Sequence, residues 1–265
     1  MMEERTLVMP LPRYTHKHLN LLREMVTSEF KLRDQSSVLG LIWSFLNPLL
    51  MLTILYVVFR FRIGEQIENY TLYLLVGLVH YTHLSNCTVA AMRVFHDKRS
   101  LTTDTIFPKE ILVVAAVLSR SIEFAISVFV CIAIALLTGI QPSWSFLLVV
   151  PAILVQTAFV LTLSLMLSFS YLYLKDIEHL YELFLRMLFF LTPIFYDLKF
   201  LGHGVVRTIT LLNPLTYFIM FTRAAILGGG SLLPQLLASI VTTGVLLSMS
   251  FLAFKKFEPA LAERV

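Results

Sequence analysis

The sequence predicts an all-α membrane protein: six transmembrane helices, an amphipathic interface helix before the first, and re-entrant outer helices between spans 5 and 6. Three observations carry that expectation. Of 265 residues, 57% belong to the apolar set AVILMFWYC and only 14% are Asp, Glu, Lys or Arg, where a soluble domain has about 45–50% and 25%. The apolar residues fall in runs close to the roughly 20 that a helix needs to cross a hydrocarbon core of about 30 Å. The cations collect in alternate connections between those runs. A soluble globule, a disordered chain and a disulfide scaffold are excluded. What remains is a single transmembrane domain over residues 1–265, with an N-terminal segment at 1–38, a six-span bundle at 39–254 and a tail at 255–265.

Taken in order, residues 1–38 hold no apolar run of the kind a signal peptide carries, so no cleavable leader is expected. Between His16 and Asp34, Leu19, Leu22, Val26 and Phe30 recur at steps of three and four, opposite Lys17, Arg23, Glu24, Thr27 and Lys31. That spacing makes an amphipathic helix lying in the interface ahead of the first span. The spans are Leu39–Phe59, Tyr70–Met92, Ile111–Thr138, Phe146–Tyr173, Tyr181–Tyr196 and Leu232–Phe254. The fifth is short, holds Arg186 and ends at Thr192-Pro193, so a bend or a re-entrant piece is expected there. Residues 197–231 are too apolar for a solvated loop and are broken by Gly202, Gly204, Pro214 and Gly228 to Gly230. Short helices dipping back into the outer leaflet fit that pattern.

Orientation follows from the Lys and Arg in the connections. With the N-terminus inside, fourteen cations lie on the inner side and five on the outer side, leaving Arg120 and Arg186 within spans. An even number of spans then places both termini in the cytoplasm. The net charge of +4 and pI of about 9.1 reflect this partition, and no nucleic-acid partner is expected from them.

No G-x-x-x-x-G-K-[ST] loop occurs, so any ATP used must be bound by another chain. H-E-x-x-H, G-x-S-x-G and a spaced Cys/His zinc set are also missing. Cys87 and Cys131 sit in apolar runs, where a thiol behaves as a small hydrophobe. His80, His83 and Cys87 share one face of the second span, but no carboxylate joins them, so packing is expected there and no metal. Charges within spans invite a functional reading. Arg120 and Glu123 can pair within the third span, and Arg186 lies one turn from Glu182; a structural pairing is expected at both. A secondary transporter would show interrupted helices in two corresponding halves, and only one break is visible.

A family resemblance rests on four stretches in order. Asp34-Gln35-Ser36-Ser37-Val38-Leu39-Gly40-Leu41-Ile42-Trp43-Ser44-Phe45-Leu46-Asn47-Pro48-Leu49-Leu50 enters the first span. Ile106-Phe107-Pro108-Lys109-Glu110-Ile111-Leu112 follows the second, and Tyr173-Leu174-Lys175-Asp176-Ile177 the fourth. The last comprises Thr192-Pro193-Ile194-Phe195-Tyr196 with Leu212-Asn213-Pro214-Leu215-Thr216 and Arg223. Over about residues 20–256 the chain resembles bacterial ABC transporter permeases that export polysaccharides, the group serving O-antigen, capsule and teichoic acid. Two departures stand out. After Gly77 the Pro-Trp common in that family is replaced by Val79-His80-Tyr81, and Lys175 stands where Arg usually precedes Asp, which keeps the charge but loses a bidentate donor.

The resemblance implies a homodimer of this chain with two copies of a separate ATPase subunit that binds ATP and Mg. It implies a lipid-linked glycan as cargo in the bacterial cytoplasmic membrane; a drug or small-lipid exporter of the same superfamily is the alternative. The chain itself is then no enzyme and carries no cofactor. ATPase coupling is expected at Asp97, Lys98, Arg99, Phe107 and Pro108, and at Lys175, Asp176, Glu178 and His179. Arg13, Arg23, Lys31 and Arg33 are placed to meet an anionic lipid headgroup. Tyr56, Phe59, Tyr70, Tyr73 and Tyr81 suit an aromatic channel lining on which sugar C–H faces slide. Arg60, Pro193, Tyr196, Asn213 and Pro214 are the candidates for an outer gate.

Overall fold

The computed structural model describes residues 16–35, 40–98 and 109–261. Among these residues the regular elements are helical: α1 (His16–Gln35), α2 (Gly40–Phe59), α3 (Tyr70–Asp97), α4 (Glu110–Leu137), α5 (Val149–Tyr173), α6 (Ile177–Leu191), α7 (Val205–Leu212), α8 (Pro214–Leu227) and α9 (Leu232–Leu261). Short 3-10 turns stand at Gly64–Gln66, Trp144–Leu148 and Leu198–Leu201. Arg13, Arg99, Phe107 and Pro108 lie outside the described residues.

The bundle is organised around α3, which packs on α2, α4, α5, α6 and α8. Every side chain from Leu72 to His80 is buried. This position explains its composition. A helix enclosed by protein rather than lipid can carry His80 and Thr88 because neighbouring helices offer them polar partners. Gln156 of α5 meets the His80 ring nitrogen and donates back to the His80 carbonyl at 3.2 Å, and the Tyr181 hydroxyl of α6 donates to Thr88 Oγ1 at 2.9 Å. α4 is the converse case. Val117, Phe124, Val128 and Cys131 face the core, whereas Ile122, Ile126, Phe129 and Val130 form an exposed apolar stripe at helical spacing, as a lipid-facing surface requires.

Among the described residues two helical stretches are long and apolar enough to cross a membrane, Glu110–Leu137 and Trp144–Tyr173; at 1.5 Å per residue each is about 42 Å or longer, ample for a core of about 30 Å. A third arises if α7 and α8, which meet at an 80° bend, are taken as one broken span. The six spans expected from sequence are therefore only partly matched by length and composition. α3 is long enough but too polar, and α6 is only 15 residues. Its early end has a local cause: Thr192 precedes Pro193, whose ring disfavours helical backbone at the residue before it. The expected run to Tyr196 thus stops at Leu191.

α1 packs on α4 and α2. Leu21, Leu22, Met25, Val26 and Phe30 turn partly inward and Asn20, Arg23, Glu24 and Thr27 are exposed. Leu19, expected on the apolar face, is 52% exposed.

Candidate functional site

At the Lys98 end of the bundle, three elements are tied by charge. The Arg93 guanidinium on α3 pairs with Glu178 on α6 and, at 3.3 Å, with Glu182 one turn further on. Lys98, just past the C-terminus of α3, pairs with Glu29 of α1. Burial lowers the pKa of the Lys98 ammonium below its ordinary value. The two groups of coupling residues read from sequence, one beginning at Asp97 and the other running from Lys175 to His179, are thus bridged through Arg93, a residue the sequence reading did not single out. Asp97, Lys175, Asp176 and His179 are exposed around this cluster, with His96 Nδ1 3.5 Å from Asp97 Oδ1.

Behind the ion pairs a cavity of about 600 Å³ opens between α1, α3, α4 and α6, its wall carrying charges of both signs, among them Arg93, Arg120 and Arg186 with Glu29, Asp97 and Glu182. A second cavity of about 360 Å³ shares Tyr81, Ser85, Asn86 and Arg186 and continues between Pro48, Met51, Phe189 and Phe190. The first wall mixes these charged groups with apolar side chains such as Val89, Val94, Ala116 and Leu185, and the second is mostly apolar. Arg186 does not pair with Glu182 as helical spacing led us to expect, because that carboxylate faces Arg93.

The Pro193 end is built on a buried arginine. Arg223 of α8 is 6% exposed. Its Nε and Nη2 donate to the Tyr73 carbonyl at 3.1 and 2.8 Å, Nη1 to Pro193 at 2.6 Å, and Nη2 also to Ile194 at 2.7 Å. The guanidinium lies 3.3 Å from the centroid of the Tyr73 ring, a cation–π contact. Gly77 makes the approach possible, since a Cβ there would stand 2.8 Å from Arg223 Nη2 and 3.0 Å from Ile194 Cα. Around this hub, the Tyr70 hydroxyl donates to the Phe195 carbonyl and the Tyr73 hydroxyl to the Tyr196 carbonyl, each at 2.9 Å. Asn213 caps α8 by accepting from Leu215 N at 3.0 Å, while its amide donates to Thr192 Oγ1 at 2.7 Å. Pro214 follows at the first position of α8, where a missing N–H costs nothing.

The sequence model for the family described as "ABC-2 type transporter" matches residues 20–227. The chain belongs to that family. It is 30% identical over 246 residues, 92% of this chain and 94% of the other, to the "O-antigen export system permease protein RfbA" of Klebsiella pneumoniae. To a protein of the same name from Myxococcus xanthus it is 28% identical over 206 residues, covering 77% of this chain and 79% of that one.

In this ABC-2 type transporter the aromatic positions read from sequence divide. Tyr70 and Tyr73 are 1% and 8% exposed with their hydroxyls committed to the backbone. Within the chain these two rings brace the 192–196 segment. Tyr56 and Phe59 are half-buried, and Phe59 stacks on Phe195 at 4.5 Å. Tyr81 borders both cavities, its hydroxyl donating to the Leu185 carbonyl at 2.7 Å. The gate candidates Pro193, Tyr196, Asn213 and Pro214 meet in one place, whereas Arg60 stands at the end of α2, 5.5 Å from the Tyr56 ring. Arg23 is exposed on α1 and Lys31 and Arg33 belong to the same helix. His83 stacks on Phe124 at 4.2 Å. Arg223 stands among apolar neighbours in α8, and that is the sequence signal for its burial.

Proposed function

We propose that this chain is the membrane-spanning permease subunit of an ATP-driven exporter. Its cargo is a lipid-linked polysaccharide of the O-antigen, capsule or teichoic acid type, carried from the cytoplasmic to the outer side of the bacterial cytoplasmic membrane. The observation that carries this reading is the likeness, over 92% of the chain, to a permease named for O-antigen export. In the same reading two copies of the chain form the path, each seated on an ATPase subunit that binds ATP and Mg. Six spans cross the membrane with both termini in the cytoplasm. α7 and α8 form a re-entrant pair, which their 80° bend supports.

The work divides between the two ends. Asp97, Lys175, Asp176 and His179 offer exposed polar contacts to the ATPase, and the Arg93 pairs with Glu178 and Glu182 carry its displacement from the 174–182 segment to α3. Because α3 and α6 are rigid helices, a shift at one end reaches the cavities between them. Arg13, Arg23, Lys31 and Arg33 attract the anionic headgroup to the interface. Tyr56, Phe59 and Tyr81 present the aromatic surface along which sugars pass, and the cluster of Pro193, Tyr196, Asn213 and Pro214, with Arg60, forms the outer gate.

Deletion of the gene tests the cargo. Lipid-linked glycan should accumulate in the cytoplasmic leaflet, detected by extraction and sugar analysis, and the surface glycan should disappear. A deletion strain with normal surface glycan would overturn the assignment.

A further inference from the structure

The two cavities beside α3 meet end to end along it. The first follows the helix from Tyr81 to Lys98 and the second from Leu78 to Asn86, so they overlap over less than two turns. Tyr81 spans the gap between α3 and α6 at that overlap. Its hydroxyl donates across to the Leu185 carbonyl at 2.7 Å, and its ring meets Phe189 edge-on with centroids 5.1 Å apart. The lining changes character at the same place. On the Lys98 side the wall carries charges of both signs, and beyond Tyr81 it is dominated by Leu78, Pro48, Met51 and Phe190.

The neighbours of Tyr81 give it a firm footing and a loose end. His80 is clamped to α5 by Gln156 through both its ring and its carbonyl, which fixes the rotation of α3. One residue on, about 100° round the helix, Tyr81 is turned towards α6. The hydroxyl is held lightly. The Leu185 carbonyl, in the middle of α6, already accepts a helical N–H, so releasing Tyr81 leaves no carbonyl orphaned. Ser85, one turn along α3, lies within hydrogen-bonding reach of the hydroxyl and offers it a second partner on its own helix. The cavity of about 600 Å³ on the Lys98 side gives the ring room to swing.

We infer that Tyr81 is a shutter between the two cavities. Latched to Leu185, it closes the apolar cavity to water and polar solutes from the Lys98 side; released to Ser85, it joins the two spaces into one. This deepens the proposed function and rests on its reading of the chain as a transport path. A path wide enough for sugars would leak ions when idle, so a barrier of this kind is needed. The shutter also gives a task to Val79-His80-Tyr81, the stretch that departs from the family pattern: His80 holds the helix and Tyr81 the passage.

The test measures access in inside-out membrane vesicles holding the full chain with the subunits that accompany it. One reporter, Met51→Cys, stands beyond the ring, and another, Ala90→Cys, stands before it; the native Cys87 and Cys131 are buried. A charged, membrane-impermeant methanethiosulfonate should modify the reporter at 90 quickly and the one at 51 slowly. Tyr81→Ala should speed modification at 51 about tenfold and leave the rate at 90 unchanged. Tyr81→Phe, which keeps the ring and loses the latch, should speed it about threefold. Equal rates at 51 with and without the ring would overturn the shutter, and so would a rise at 90 as large as at 51, which marks a loosened bundle. A Tyr81→Phe rate equal to that of the intact chain would overturn the latch. The two readings fail separately. Lost surface glycan in the deletion strain with equal rates at 51 removes the shutter alone, while normal glycan in that strain removes the cargo.

Discussion

At the Pro193 end, Arg223 spends its guanidinium on four hydrogen bonds to three backbone carbonyls and on the face of Tyr73. At the Lys98 end, Arg186 stands at an open cavity without an ion pair among the described residues, and Arg93 Nε has no hydrogen-bond partner among them. The residue type is the same and its employment opposite. Burial of a charge is tolerated only where hydrogen bonds replace its hydration, and a group so committed holds one geometry. One end of the bundle is thus locked by its own backbone. The other retains groups that a ligand or a partner can recruit.

Two substitutions probe the lock. Arg223→Gln should have the largest effect in the molecule, since it leaves the Pro193 and Ile194 carbonyls buried without their donors and removes several charge-assisted bonds, each worth about 1.5–3 kcal/mol. A loss of about 3 kcal/mol or more is expected, read as a collapse of the monodisperse fraction after heating in detergent. Gly77→Ala comes next. Its Cβ would press on Arg223 Nη2 and on the Ile194 backbone, and overpacking of this kind costs about 1–3 kcal/mol. If Arg223→Gln behaves as wild type in the heating assay, the hub is not what holds the 192–196 segment.

The difference between the ends also marks what could be read from the chain. Helix limits were legible where composition changes abruptly: α4 runs Glu110–Leu137 where Ile111–Thr138 was expected, and α2 and α9 begin within one residue of the expected positions. α3 runs on to Asp97 because the polarity change after Met92 marks the end of an apolar run and does not stop helical hydrogen bonding. The role of Arg223 was not legible for a different reason. Its acceptors lie 29 to 150 residues away, and no local pattern records which carbonyls will converge. Tyr70 and Tyr73 illustrate the same limit, since an aromatic ring near a span end serves equally as a lining or as a brace until its neighbours are known. Arg186 and Glu182 have the spacing of a helical pair, yet Glu182 is taken by an arginine from another helix.

The smallest expected effect on stability comes from Arg93→Gln, and it sharpens the comparison most. Arg93 is 42% exposed, and its partners Glu178 and Glu182 are 14% and 36% exposed, so solvent screens both pairs and their removal should cost no more than about 1 kcal/mol. The chemical change is the one made at Arg223. Its consequence should be functional: α3 would no longer be tied to the 174–182 segment, so ATP hydrolysis by the copurified partner should continue while surface glycan falls. A double exchange, Arg93→Glu with Glu178→Arg, restores the charge pairing in reverse and should recover part of the export. Heat stability lost as severely as in Arg223→Gln would show that the Lys98 end is locked too, and the contrast between the ends would not stand.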